Sequence, residues 1–346
     1  MRFRDLGEVP FIERLRRRLP AAEGVVIGVG DDCAELAGFD RGRLLVTTDL
    51  LLEDVHFRLT TTTPEQLGHK MLAVNLSDVA AMGGTPRFFV CALGIPGDTE
   101  VEIVERLYEG ALSLAAKHDV ALVGGDTNRS ETGMVLAVTV MASPPKRGAI
   151  TRGGAKPGDA LLVTGTLGDS AVGLKILEEN LSLSPHLPAF EQLVRRHLEP
   201  TPRVEAGRVL AAERLLHAAI DLSDGLAIDA SHLARESGVA IDVDPALIPL
   251  SPELQAAAHE LGLDPVAVAV AGGEDYELLL AVSSRKVAAA EEALRRLGLP
   301  VTRIGRIVEG DGEVRIGDRP ASEFRGFQHF TPSASLPGEP TAAGGS

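Results

Sequence analysis

Carboxylates set beside glycine, serine or threonine recur along this chain. Asp31 and Asp32 follow Gly28-Val29-Gly30, Asp49 follows Thr47-Thr48, Asp78 follows Ser77, and Asp126 follows Gly124-Gly125. Asp221 and Asp224 flank Ser223, and Glu274 and Asp275 follow Gly272-Gly273. Acids crowded together repel one another and persist only where protons or hard cations take up the charge. All-oxygen donors favour magnesium or calcium. Small neighbours let backbone amides approach phosphate oxygens while the acids hold the bridging cations. The pattern therefore points to metal-assisted chemistry on a phosphate. The plainer alternative is capping, since Asp78 and Asp224 are residue types that start helices. No G-x-x-x-x-G-K-[ST] run occurs, Gly28-Val29-Gly30 lacks the third glycine of G-x-G-x-x-G, and there is no EF-hand loop, so a nucleotide site here is of another kind.

Positioning these acids requires strands and helices that end, or open, beside them. Val25–Val29 and Leu44–Val46 read as strands that deliver carboxylates where they stop, after an opening helix around Phe11–Leu19. Gly68–Gly84 carries small and apolar residues at helical spacing and predicts a buried helix holding Asn75, Ser77 and Asp78, polar groups that need partners. Arg87–Leu93 predicts a strand, Asp98–His118 an amphipathic helix, Val120–Val123 a strand entering Gly124–Thr127, and Met134–Ala142 another strand. Ser143-Pro144-Pro145-Lys146-Arg147-Gly148 marks a domain boundary. It separates residues 1–146 from residues 147–331, with 332–346 as a disordered tail. In the second half we expect strands at Ala160–Thr164, Val239–Val243, Val266–Val270, Val301–Val308 and Val314–Ile316. Helices are expected from Asp169 to about Glu179, from Pro200 to near His217, and up to Ser237.

With 346 residues and 45% hydrophobic content the chain can fill a large core, most readily as two domains. Thirty-four basic against forty-nine acidic residues leave a formal charge of −15, which argues against nucleic acid or an anionic membrane as partner. An anionic substrate then needs a metal or a local basic group. The N-terminus mixes arginine and glutamate, and no stretch reaches the roughly twenty apolar residues of a membrane span, so a cytoplasmic location is expected. Cys33 and Cys91 offer neither a disulfide framework nor a metal motif.

The halves echo one another. Leu76-Ser77-Asp78 is followed by Gly124-Gly125-Asp126, and Leu222-Ser223-Asp224 by Gly272-Gly273-Glu274, at nearly the same separation. This predicts two related α/β modules with equivalent acidic loops that converge on one cleft.

Eight segments, GDDCAEL (30–36), TTDLLLEDVHF (47–57), KMLAVNLSDVAAMGGTP (70–86), GGDT (124–127), TRGGAKPGD (151–159), VTGTLGDSAVGL (163–174), DLSDGLAIDASHLA (221–234) and GGEDYELL (272–279), together resemble the thiamine-monophosphate kinase family. That family lies in a superfamily with aminoimidazole ribonucleotide synthetase, selenophosphate synthetase and a hydrogenase maturation protein. One departure is Glu53-Asp54 ahead of His56, where the family more often has Glu-Gly. The resemblance implies an α/β fold of mixed α+β character built from two related modules. It also implies ATP-dependent phosphorylation of thiamine monophosphate to thiamine diphosphate by direct transfer. On that resemblance Asp32, Thr47, Thr48, Asp49, Asp78, Asp126, Asp221 and Asp224 are magnesium ligands, with Asp49, Asp126 and Asp224 closest to the chemistry. Gly125, Asp126, Arg152 and Ser223 meet ATP, and His56, Glu274 and Phe327 hold the thiamine phosphate. A homodimer through the N-terminal module is implied as well. Glu274 is left facing either the thiazolium or the pyrimidine amine, Lys70 divides between a solvated helix charge and an ATP contact, and Phe327 serves equally as core packing. His118, His197 and His232 read as surface or helix residues. Donor and acceptor are both phosphates, so charge neutralisation and positioning outweigh any need for a strong base. Rival readings are a purine-biosynthetic synthetase of the same superfamily and a non-catalytic nucleotide or cation sensor. The selenophosphate and hydrogenase-maturation types fit less well, because no cysteine precedes Cys33 and the chain ends Gly344-Gly345-Ser346.

Overall fold

A helix with thirteen of its eighteen residues buried must be covered on more than one side. That helix is α1 (Pro64–Ala81), and in the computed structural model it lies in the core between two sheets. The structure describes residues 25–27, 31–39, 42–179 and 187–324, which fall within one compact unit, Glu23–Phe327. The expected opening helix at Phe11–Leu19, Phe327 and the 332–346 tail lie outside the described residues. Thr63 starts α1 with a capping box: its hydroxyl accepts from the Gln66 amide and the Gln66 side chain accepts from the Thr63 amide, with Pro64 first in the helix.

The first sheet takes β1 (Val25–Ile27), β2 (Ala34–Phe39), β3 (Gly42–Leu52), β4 (Thr85–Pro96), β5 (Ala121–Ser130) and β6 (Val135–Ser143) in the order β1-β2-β3-β6-β4-β5. Only β4 and β5 run parallel, joined through α2 (Val101–Lys117). The second sheet takes β7 (Asp159–Thr164), β8 (Leu216–Asp221), β9 (Ala240–Val243), β10 (Leu278–Ser283), β11 (Val301–Val308), β12 (Val314–Ile316) and β13 (Arg319–Pro320) in the order β13-β12-β9-β11-β7-β10-β8. Around it pack α3 (Asp169–Glu178), α4 (Leu187–Leu198), α5 (Val204–Ala212), α6 (Leu226–Ser237), α7 (Pro252–Leu261), α8 (Pro265–Ala271) and α9 (Val287–Arg295). Leu72 and Leu76 of α1 share one core with Leu136 and Val138 of the first sheet and Leu278 and Leu280 of the second. The mixed α/β architecture expected from the sequence is what forms.

Four local expectations change. β3 runs on to Leu52, so Asp49 stands within a strand rather than at its end. The run Val266–Val270 is helix α8, not a strand: Asp264 caps it by accepting from the Val266 and Ala267 amides, and Pro265 opens it, a start signal that outweighs the β preference of valine. The helix expected to reach His217 ends at Ala212, and His217 lies in β8. The two acidic echoes are not equivalent loops. Ser77 and Asp78 sit inside α1 and Gly124–Asp126 inside β5, whereas Ser223-Asp224 and Gly272–Glu274 lie outside regular elements.

Candidate active site

Strand pleating decides which acids of the first sheet can meet. Cross-strand neighbours share a face and successive residues alternate. Asp49 is in register with Val138, Val138 with Cys91, and Cys91 with Gly125. Val138 and Cys91 are buried, so this row faces the core and α1. The next row, Leu50, Ala137, Ala92 and Asp126, faces outward. Thr47 follows Asp49 inward, and its hydroxyl donates to Asp78 Oδ2 at 2.5 Å. Thr48 turns outward, donating to the Val138 carbonyl and accepting from Thr139. Asp126 is exposed, its carboxylate held by the Thr127 amide and the Asn128 side chain.

The inward acids converge with those of α1 and β8. One carboxylate oxygen from each of Asp32, Asp78 and Asp221 lies within 4.8 Å of the others. Three distant stretches of chain thus supply one hard-oxygen cluster. Asp221 accepts from Ser77 Oγ at 2.6 Å, and Asp32 holds Arg152 through both its oxygens, at 2.7 and 3.0 Å. The Arg152 amide also donates to Asp31. Asp229 Oδ2 accepts from the Asp224 and Gly225 amides, at 3.1 and 3.0 Å, and so fixes the turn carrying Asp224. Burial first, then Asp32, pushes Asp31 up to about 7. Burial, then Asp224, then Asp32, pushes Asp49 up to about 6. Burial and neighbouring acids raise Asp78, Asp221 and Asp229 well above the ordinary carboxylate range. Asp49 lies near enough to Asp224 and Asp32 for their charges to act on it. This donor set fits Mg²⁺: it is all oxygen, close-packed and short of protein cations, with Arg152 offsetting only part of the charge.

Beside the cluster, the segment Glu274–Glu277 gives its three acids three fates. Glu277 is buried against Arg203, Arg196 and the Thr164 hydroxyl. Asp275 accepts from the Gly168 and Ser170 amides at the start of α3, where no local side chain caps the helix. Glu274 is the one partly open to solvent, with Lys70 Nζ 2.9 Å from one oxygen and His197 Nδ1 3.3 Å from the other. Its amide donates to the Ser223 carbonyl at 2.7 Å, and a side chain at Gly273 would sit 2.5 Å from that same oxygen, which is why glycine precedes it. His56 lies in the neighbourhood of Glu274, and its Nδ1 accepts from the Leu52 amide at 2.9 Å. Asp54 has φ +65°, the left-handed conformation that glycine adopts freely and aspartate tolerates. That is the physical content of Glu53-Asp54 standing where Glu-Gly is more usual. Glu53 itself accepts from the Met134 amide.

The structure brings together Asp32, Thr47, Asp49, Asp78, Asp221, Asp224 and Arg152, and sets His56, Glu274 and Ser223 alongside. It leaves the side chains of Thr48 and Asp126 on the other face of the sheet, and Gly125 on the edge strand in the Asp49 row. His197 lies in helix α4, as one of the two readings had it, but it is not on the surface: it is 4% exposed, against partners remote in sequence. Asp229 was also missed, although an acid in the first turn of α6 is a recognisable sign of backbone capping. A separate cavity of about 520 Å³, lined by Glu65, His69, Lys117, Arg195 and Glu199 among others, contains none of these aspartates.

Residues 30–143 match the AIR synthase related protein family, N-terminal domain, and residues 156–318 its C-terminal domain. The thiamine-monophosphate kinase of Escherichia coli (strain K12) is 39% identical over 328 residues, covering 94% of this chain and 98% of that one. The solved structure of AaThiL complexed with AMPPCP and TMP superposes with a TM-score of 0.83 at 36% identity, over 95% of this chain and 99% of that one. The thiamine-monophosphate kinase structure from Stenotrophomonas maltophilia K279a gives 0.74 at 39% identity, over 88% and 95%. The fold is thus that of an AIR synthase related protein. Within that class, the chain belongs to the thiamine-monophosphate kinase family.

Proposed function

We propose that this enzyme transfers the γ-phosphoryl group of ATP in line onto the phosphate of thiamine monophosphate, giving thiamine diphosphate and ADP. The observation that carries the reading is the convergence of Asp32, Asp78 and Asp221, with Asp49 within electrostatic reach of Asp32 and Asp224. These carboxylates, with Thr47, would hold Mg²⁺, which when bound neutralises phosphate charge and aligns the two anions. Arg152 is pre-oriented by Asp32 for charge-assisted contact with ATP phosphates. Gly125 and Ser223 complete the ATP side, and His56 and Glu274 the thiamine side. The acceptor oxygen is already ionised near neutral pH, so the protein positions and neutralises and no covalent enzyme intermediate is required. No described helix is long and apolar enough to cross a membrane, and a cytoplasmic location suits a reaction fed by ATP.

The chain acts as a homodimer through the outward face of the first sheet. Leu50, Phe88 and Val123, exposed by 49, 48 and 56%, support this reading, because exposed apolar groups of that size on one sheet favour an interface. Light scattering at micromolar concentration should give twice the 36.4 kDa of one chain. A monomeric mass removes the dimer.

The decisive assay follows ADP release and thiamine diphosphate formation with ATP, Mg²⁺ and thiamine monophosphate. ATP binding without turnover overturns the kinase reading in favour of a sensor.

A further inference from the structure

Lys70 is a poor candidate for an ordinary helix charge. Its side chain is 3% exposed, it projects from a helix with thirteen of eighteen residues buried, and its Nζ makes no hydrogen bond of good geometry. What it has is proximity to one carboxylate, Glu274 Oε1 at 2.9 Å. Taking an ammonium out of water costs several kcal/mol, which a single carboxylate repays only when the geometry is good.

Glu274 is constrained from two further directions. Its second oxygen lies 3.3 Å from His197 Nδ1, and that same ring nitrogen is 3.0 Å from Ser170 Oγ. Its backbone has φ +63° and Tyr276, two residues on, has φ +50°. Non-glycine residues in that region are strained, and the strain persists only where surrounding bonds enforce it. Here the Glu274 amide is tied to the Ser223 carbonyl and the Tyr276 amide to the Leu222 carbonyl. A strained backbone, a buried cation and a buried ring all converge on one partly open carboxylate.

We infer that Lys70 and His197 are positioning residues that hold Glu274 as an oriented hydrogen-bond acceptor for the aminopyrimidine of the substrate. The inference rests on the kinase reading above and selects the pyrimidine amine over the thiazolium as the group that Glu274 faces. Lys70 and Glu274 form a pair without net charge, and burial, then Lys70, lowers His197 to about 4, so the ring adds no cation at neutral pH. A carboxylate already matched by an ammonium has little attraction left for the thiazolium charge. It keeps lone pairs aimed at a neutral N–H donor.

The test is a double-mutant cycle on the full-length enzyme, with KM for thiamine monophosphate, KM for ATP, kcat and Tm measured for each variant. Lys70→Met should raise the KM for thiamine monophosphate about 10- to 100-fold, the range set by a hydrogen bond to a charged group, with KM for ATP essentially unchanged. Lys70→Arg should restore most of the loss. In a Glu274→Gln background, Lys70→Met should add almost nothing, because its effect passes through the acid. Thiamine monophosphate lacking the pyrimidine amino group should lose affinity for the wild type to a similar degree, while an analogue with an uncharged thiazole ring should keep it. Should Lys70→Met not fold, Lys70→Gln carries the same comparison. Equal losses in both backgrounds, a fall in Tm with KM unmoved, or dependence on the thiazolium charge overturns the inference while leaving the kinase reading in place. A wild type that does not turn over thiamine monophosphate overturns the kinase reading itself.

Discussion

Asp31, Asp49, Asp78, Asp221 and Asp229 are held above the ordinary carboxylate range, while Glu274 and Glu277 are held below theirs. Burial works in the same direction on both groups, raising every one of these acids. The difference lies in the partners. Among the glutamates, Lys70 leads the groups that outweigh burial at Glu274, and Arg203 and Arg196 outweigh it at Glu277. Among the aspartates, acids face acids, and Arg152 compensates only in part. One group carries its counter-charges within the fold. The other is arranged so that its counter-charges must come from outside. Buried acidity is not by itself a sign of a metal site; the sign is a cluster of buried acids that the protein's own cations leave unbalanced.

Stripping the glutamates of their partners should have the largest effect. Arg203→Met leaves Glu277, fully buried, against Arg196 and Thr164 alone. Removing one member of a buried ion pair costs about 3–5 kcal/mol, and the loss should appear as a lowered urea midpoint while the kinetics of the surviving folded protein stay near wild type. An unchanged midpoint would place Glu277 in the functional group instead. The reciprocal experiment is Asp49→Asn. Its turnover should fall about 100- to 1000-fold, matching the several kcal/mol a metal-held phosphoryl group supplies. Its melting temperature without divalent cation should hold or rise, because one repelling charge has gone. Unaltered steady-state kinetics would remove Asp49 from the site.

Much of this division was legible in the sequence, and the limits have identifiable causes. The acids beside Gly, Ser and Thr marked the cluster, and the family resemblance they carried is borne out by relatives spanning nearly the whole chain. Which acids face the cluster was not legible. Asp49 and Asp126 look alike in sequence, yet the register of β3, β6, β4 and β5 sends one inward and the other outward, and register is a property of pairing between remote strands. The three acids of Glu274–Glu277 look alike too, and their partners, Lys70, Gly168 and Arg203, lie far away along the chain. Val266–Val270 misleads for a local reason: apolar β-branched residues dominate the run, and the deciding Asp264-Pro265 start signal precedes it.

The mildest probe uses pH and magnesium together on stability. Burial and neighbouring acids push Asp49 up to about 6 and Asp31 up to about 7 in the folded protein, from the 3.8 of the free side chain. Between those limits the folded state holds more protons than the unfolded one, so these acids make metal-free protein lose stability as pH rises from about 4 to about 7. Glu274 and Glu277 have the opposite sign: their folded values lie below 4.5, and their contribution is present at neutral pH and lost on acidification below that value. Mg²⁺ competes with protons for the aspartates and with nothing at the glutamates. It should raise Tm at pH 8 by about 3–6 °C when present at a hundredfold excess over its dissociation constant, and by much less at pH 5. Asp49→Asn should shrink the increment at pH 8, and Lys70→Met should leave it intact. A magnesium increment independent of pH would mean that the cation stabilises the protein somewhere other than among these carboxylates.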